Sequence, residues 1–299
     1  MQQQEVIINR LSKELLIRKI TKEDIKTVCS LHERVYGRKK PYAYFKKKYD
    51  TGYTGIDCLG FVAFNVSGEM VGAVHAIPCF MFYRGERLLV AQSADILSLD
   101  LHQYRGVFPM LSNYLFDYCR EAGIQFLFGF PNERSFVPSV KRLGYQEIHR
   151  MQAFQISDRS LQQPLPSIES TEKNKTKECA EMVVEYSKEW MEYKMFSSPF
   201  MIRLGSVDAW MSRRHPGMIG SLSGLDASTL SEFHLAAIQY CRKQKLPGLQ
   251  FHCSPGLPIS ELLEKVFPHT PSFPVLVKQL QSGLPLDRIR FTFADTDIF

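Results

Sequence analysis

The sequence predicts an α/β chain built as two halves of similar plan, and three observations carry that expectation. The chain has 299 residues, whereas single hydrophobic cores stop growing near ~250–300 residues, so two domains are the natural division. Apolar runs of strand length alternate with longer stretches of helical period along most of it. A succession of helix, strand, short helix and strand also occurs twice. Tyr118-Cys119-Arg120 precedes Gln125-Phe126 in one copy, and Tyr240-Cys241-Arg242 precedes Gln250-Phe251 in the other. Pro131 and Pro255 end the two strands, and the equal order of elements at similar spacing gives the short matches their weight.

The elements follow in order. Alternating apolar and basic residues from Leu16 to Ile20 suggest a first strand, after which Thr21 caps a helix from Glu23 through Tyr36. Two β-rich runs, 59–66 and 69–77, flank Ser67-Gly68 as a hairpin. A further run from Cys79 to Tyr83 turns at Arg84-Gly85-Glu86 and returns from Leu88 to Leu99. Residues 105–122 read as a helix, Ile124–Phe130 as a buried strand, Ser135–Leu143 as a short helix and Glu147–Ile156 as a strand. Residues 157–178, poor in apolar side chains and holding two prolines, read as a linker between domains at 1–156 and 179–299. In the second half, Ser260–Phe267 reads as a short helix and Pro274–Leu280 as β-rich.

Composition excludes some classes. With 44% hydrophobic and 23% charged residues the chain can fill a core in each half, which sets disorder aside. A formal charge of +6 is too small and too scattered for a nucleic-acid binder, although Arg38, Lys39, Lys40, Lys46, Lys47 and Lys48 cluster. Such a surface can receive a phosphorylated cofactor or an anionic substrate by electrostatic steering. Seven cysteines, an odd number without a CxxC pair, read as buried reduced thiols. No run approaches the ~20 apolar residues of a membrane span and no signal-peptide core opens the chain, so a cytoplasmic protein is expected.

The stretch Ala94–Phe108 carries the chemistry: a strand ends in a polar turn, and Arg105-Gly106 stands where a helix begins. The first N–H groups of a helix lack intrahelical partners and the helix dipole favours negative charge, so a glycine that lets a ligand reach the backbone makes an anion site. Arg105 can add a charge-assisted contact. Here the sequence resembles the GNAT acyltransferase superfamily, whose coenzyme A loop has the form Gln/Arg-x-x-Gly-x-Gly/Ala. Gln103-Tyr104-Arg105-Gly106-Val107-Phe108 fits its first two marked positions, with Phe108 in place of a small residue. Phe128-Gly-Phe-Pro-Asn132 and Gly144-Tyr145 resemble later motifs of that family, and the likeness covers residues 16–156.

The resemblance implies two GNAT-like domains, each a mixed, mostly antiparallel sheet flanked by helices, the second without a coenzyme A loop. Gly224-Leu-Asp-Ala-Ser228, before the corresponding helix, lacks the basic residue. It further implies an N-acyltransferase that moves an acetyl or other acyl group from acetyl-coenzyme A or another acyl-coenzyme A to a small-molecule amine, without metal, nucleic acid or a cysteine nucleophile. Residues 103–108 would hold the pyrophosphate, and backbone groups of Leu97, Ser98 and Leu99 the pantetheine arm and the oxyanion. Asp95 would be the base, directly or through water, and Asn132 a catalytic or capping residue. The family's usual acid tyrosine is absent from the helix after Asn132, which leaves Tyr145 or water to protonate the thiolate.

Two-half proteins resembling this one suggest an amino sugar or cell-surface precursor as acceptor. The rivals are an aminoacyl transferase of the peptidoglycan cross-bridge type, which would use charged transfer RNA, and a degenerate coenzyme A- or partner-binding protein. His75 reads as a structural strand histidine, and His215, His234, His252 and His269 show no metal-ligand spacing. Asp295-x-Asp297 reads as a solvated tail or as a pair of acceptors for sugar hydroxyls.

Overall fold

The computed structural model describes residues 6–10, 13–99, 106–158 and 181–299. The chain opens with β1 (Val6–Arg10) and β2 (Lys13–Lys19), then α1 (Ile25–Tyr36) and α2 (Tyr42–Lys48). Thr21 and Asp24 form the expected cap ahead of α1. The sequence gives no sign of α2, because its seven residues, three aromatic, three basic and one alanine, carry no polar N-cap and no apolar period. The hairpin is β3 (Gly60–Asn65) and β4 (Met70–Tyr83), and β4 runs straight through the break expected at Pro78. β3 pairs with β4 only as far as His75, so the missing Pro78 N–H falls where β4 lacks that neighbour. β5 (Glu86–Ser98) returns along β4 after a tight turn in which Arg84 and Gly85 both have positive φ.

Next come α3 (Val107–Glu121), β6 (Phe126–Gly129), α4 (Glu133–Leu143) and β7 (Gln146–Ile156). After residue 181 the order is β8 (Val183–Val184), α5 (Lys188–Lys194), β9 (Phe200–Leu204), β10 (Val207–Met211), β11 (Met218–Ser223), α6 (Leu230–Gln244), β12 (Leu249–Cys253), α7 (Pro258–Glu264) and β13 (His269–Gln279). The short strands β9 to β11 went unread because their alternation is faint and β9 is half exposed. The proposed linker, 157–178, lies almost wholly outside the described residues.

Among the described residues all strands join one sheet in the order β1-β2-β3-β4-β5-β6-β13-β7-β12-β11-β10-β9, with β8 on β4. The centre of that order is an exchange. β13, from the end of the chain, sits between β6 and β7, while β7 pairs with β12. On either side stands one parallel pair, β5 with β6 and β11 with β12, each joined by a 15-residue helix, α3 or α6. The two Tyr-Cys-Arg segments end those helices, with Cys119 and Cys241 buried.

The core follows the same plan. One cluster lies under each flank, and a central cluster joins Met81, Val90, Phe126 and Phe128 to Trp190, Trp210, Phe291 and Phe299. The halves therefore share a core and a sheet, and the exchange of β7 and β13 makes each depend on the other. Among the described residues no helix is long and apolar enough to cross a membrane.

Candidate functional site

The site begins where two parallel strands part. β5 pairs with β6 only at Ala91–Leu127 and Gln92–Phe128, whereas its other edge stays on β4 as far as Ser98. Among the described residues the far edge of β5 beyond Gln92 has no strand partner, so that edge offers backbone donors and acceptors to a ligand entering between the two strands. At the apex Gly129, the last residue of β6, presents no side chain, and a Cβ there would lie 3.5 Å from the Ser93 Cβ. Ser93 Oγ and Tyr145 Oη are 2.5 Å apart at the same point. Burial pushes the Tyr145 phenol up, so it keeps its proton.

Asp95 occupies a bulge in β5. Ala73 faces Leu97 and His75 faces Ala94, so Asp95 and Ile96 together oppose Val74. Asp95 takes φ +39°, a left-handed conformation that acidic residues tolerate better than most. Side chains replace the lost ladder bonds: Tyr36 donates to the Ile96 carbonyl at 3.2 Å, and His75 Nδ1 lies 3.2 Å from the Asp95 carbonyl. Because that carbonyl only accepts, His75 carries its proton on Nδ1. The imidazole stacks on Tyr49 with ring centroids 4.3 Å apart.

The Asp95 carboxylate is not free. Lys48 Nζ lies 2.5 Å from its Oδ2, and Tyr49 Oη donates to the same oxygen at 2.9 Å. Lys48 also donates to Asp297 at 2.8 Å, and Gln92 Nε2 donates to the other Asp297 oxygen at 3.2 Å. Burial raises the Asp95 carboxyl, but the Lys48 charge and hydrogen bonds outweigh it and hold the group at about 2. The Lys48 ammonium is pushed well up, the two carboxylates overriding its burial.

A base role fits this setting poorly. A carboxyl that Lys48 and Tyr49 hold well below the usual carboxylate range takes a proton from an ammonium only steeply uphill. The structure places the expected base as an ionised partner in a network with Lys48, Tyr49 and, through Lys48, Asp297. One negative charge is left over in the set Asp95, Lys48 and Asp297, and the two carboxylate side chains keep 12% and 19% of their surface exposed. A cation can therefore approach them.

At the open end of the cleft α3 begins. Gly106 stands at its N-cap with φ +92°, and the space where a Cβ would sit is empty. Val107 is buried against Gly72 of β4, the partner of Ser98, which seats the first turn of α3 at the end of the fork. Phe108 packs into the first-half core. Pro109 offers no N–H, so the donors at this terminus come from Gly106, Val107 and Phe108. Gln103, Tyr104 and Arg105 lie outside the described residues. Leu97 and Leu99 turn their side chains into the core, and the Leu99 N–H donates to the Val71 carbonyl of β4 at 3.1 Å, so the backbone edge turned to the fork at this point is that of Ser98.

Two sequence readings narrow. Asn132 takes the capping alternative of its sequence reading, its Oδ1 accepting the N–H groups of Arg134 and Ser135 of α4 at 3.0 and 3.1 Å. Asp295-x-Asp297 is no solvated tail: Asp295 is buried and Asp297 reaches Lys48. Lys48 and Tyr49 went unrecognised because a lysine in a basic run reads as solvated, and only the tertiary fold brings carboxylates to it.

In the second half, the Asp226 carboxylate accepts the N–H groups of Ser228 and Thr229 at 2.8 and 3.0 Å ahead of α6. An acid already fills the place a phosphate would need.

Residues 16–148 match the family model described as an acetyltransferase (GNAT) domain. No curated protein matches the chain. Among solved structures, it is similar to a GCN5-related N-acetyltransferase from Kribbella flavida at 14% identity and TM-score 0.60, over 89% of this chain and 71% of that one. A probable N-acyltransferase from Enterococcus faecalis gives 13% identity and 0.60, over 89% and 73%. A putative acetyltransferase from Pyrococcus horikoshii gives 15% and 0.53, with 93% of both chains covered. At these identities the likeness is one of fold.

Proposed function

We propose, from the match of residues 16–148 to the model of a GNAT acetyltransferase domain, that the protein transfers an acetyl or other acyl group from acyl-coenzyme A to a small-molecule amine. The observation that carries the reading is the fork between β5 and β6, with the glycine-headed start of α3 at its open end. The pyrophosphate would rest on the N–H groups of Gly106, Val107 and Phe108, with Gln103, Tyr104 and Arg105 completing the loop. The pantetheine amides would pair with the free edge of β5 along Leu97, Ser98 and Leu99, chiefly at Ser98, since the Leu99 N–H is held by Val71 of β4. The same edge would donate to the oxyanion that forms when the amine attacks the thioester carbonyl.

The amine must reach the carbonyl unprotonated. With Asp95 held ionised, the proton leaves to water before attack, and the surplus negative charge around Lys48 draws the ammonium in. As the tetrahedral intermediate collapses, the nitrogen gives up its second proton to water, and the departing thiolate accepts a hydrogen bond from Tyr145, whose phenol stays neutral at working pH, and takes its proton from water. Residues 1–156 would hold the thioester and 179–299 would shape the acceptor side.

Calorimetric titration with acetyl-coenzyme A and with coenzyme A tests the cofactor site. Gly106→Glu should abolish binding, while Gly106→Ala, equally strained but uncharged, should retain most of it. Binding by the native protein that survives Gly106→Glu would remove the loop from the site. No binding at all would overturn the reading, and where binding holds, thiol release with a panel of amines measures turnover.

A further inference from the structure

The basic cluster conspicuous in the sequence is not absorbed by the acyl-transfer site. Lys48 turns inward, but Lys40 and Lys47 border an open groove of about 430 Å³ that is also lined by Pro41 and Tyr44 and by Phe196 and Arg214 from the other half of the chain. The Arg214 guanidinium lies over the Tyr44 ring, 4.3 Å from its centroid, and Lys40 Nζ lies 4.5 Å from the same centroid. Among the described residues none of these three cations has a carboxylate within ion-pair distance, in contrast to Lys48. Three cations around two aromatic rings make a site of positive potential with an apolar floor.

The groove and the start of α3 lie on opposite faces of the sheet. Gly72 of β4 faces Val107 and Leu111 of α3, whereas His75, three residues on and hence on the opposite face, stacks on Tyr49 just after α2. α2 and the groove are therefore separated by the sheet from the start of α3, where the pyrophosphate is placed. Tyr44 is a common wall: its ring is 5.8 Å from Lys48 Nζ, which holds Asp95.

We propose that this groove binds the anionic group of the acceptor, which is thus a zwitterion: a phosphate or carboxylate held by Lys40, Lys47 and Arg214, with its amine directed to the net-negative set at Asp95 and Asp297. The inference rests on the acyl-transfer reading, whose acceptor class it names. Opposite charges at the two ends orient the acceptor and disfavour plain polyamines, which the groove repels. Phe196 and Tyr44 cover the apolar carbons between the two ends.

Glucosamine, glucosamine 6-phosphate and 2-amino-2-deoxyglucuronic acid separate the possibilities, since they share a ring and differ in the anion. Calorimetry on the full chain should show the phosphate or the carboxylate compound binding at least about tenfold tighter than glucosamine, with the advantage shrinking as salt rises. Whichever anion leads identifies the source of the charge. In Lys47→Met/Arg214→Met the leading compound should fall to the affinity of glucosamine.

Equal binding of all three, or a preference that persists in the double variant, would overturn the proposal. Acetyl-coenzyme A titrated into the same preparations reads the cofactor site separately. Anion preference without cofactor binding would leave the groove standing and remove the acyl transferase. Cofactor binding without anion preference would do the reverse.

Discussion

Lys48 Nζ and Asp297 Oδ2 are 2.8 Å apart although 249 positions separate them in the chain, and the pair ties the end of α2 to the last residues of the second half. Lys48 is wholly buried and faces Asp95 as well. Replacing it by Met would leave two carboxylates in a poorly solvated site without their cation. A buried charge stranded in this way costs about 3–5 kcal/mol. Urea unfolding should show a loss of that size in Lys48→Met, most of it recovered in Lys48→Met/Asp95→Asn/Asp297→Asn. A loss below about 1 kcal/mol in the single variant would mean that the triad is solvated.

The Asp95 carboxyl at about 2 also fixes a kinetic expectation. If the amine deprotonates to water, kcat/KM should climb about tenfold per pH unit until the acceptor's own pKa, with no bend from a protein carboxyl. Asp95→Asn should lower the rate yet keep the shape of the profile. A bend between pH 6 and 7 that disappears in Asp95→Asn would instead restore this residue as the base.

Gly72 tests how α3 is seated. A Cβ at this position would lie 2.7 Å from Val107 Cγ1 and 3.3 Å from Leu111 Cδ1. Gly72→Ala should cost about 1–3 kcal/mol through overpacking and weaken coenzyme A binding, because the first turn of α3 must move. Gly72→Ala/Val107→Ala relieves the closer contact, and recovery of affinity in that double variant ties the effect to the seat. Unchanged affinity in Gly72→Ala would show that the first turn yields without consequence for the ligand.

What could be read ahead of the structure follows from whether the signal is local. The hairpin around Ser67-Gly68, the α1 cap at Thr21 and the turn at Arg84-Gly85 each depend on a few adjacent residues, and all three formed where expected. The two parallel pairs were foreshadowed by the repeated Tyr-Cys-Arg segments. The exchange of β7 and β13 was not, because a strand carries no mark of which sheet neighbour it will choose among several apolar runs. The bulge at Asp95 escaped notice for a similar reason: one extra residue in β5 becomes visible only against its partner β4. Lys48, Asp297 and Arg214 were legible only as charges, since what each one faces comes from the other half of the chain.

Two buried histidines, His75 and His252, and the half-buried His149 predict how the fold responds to acid. Burial lowers His75, His149 and His252 to about 4 from an ordinary value of 6.5, with the Arg290 charge adding to the effect at His149. Each has a use for its neutral ring, His149 against Ser254 at 2.7 Å and His252 against Ser272 at 3.0 Å. Between 6.5 and 4 the unfolded chain binds protons that the folded chain refuses, so stability falls as pH drops through that window. From pH 7 to 5 the loss is about 2 kcal/mol for each histidine. Asp295 opposes them: burial raises its carboxyl to about 6, so the folded state takes that proton first and gains stability as pH falls. The net change is a loss of roughly 4 kcal/mol between pH 7 and pH 5, read as a lower urea midpoint at an unchanged slope. His149→Gln and His252→Gln should each flatten the dependence by about one proton, whatever they do to stability at pH 7. A midpoint constant from pH 7 to 5 in the native protein would mean that these rings reach water in the folded state.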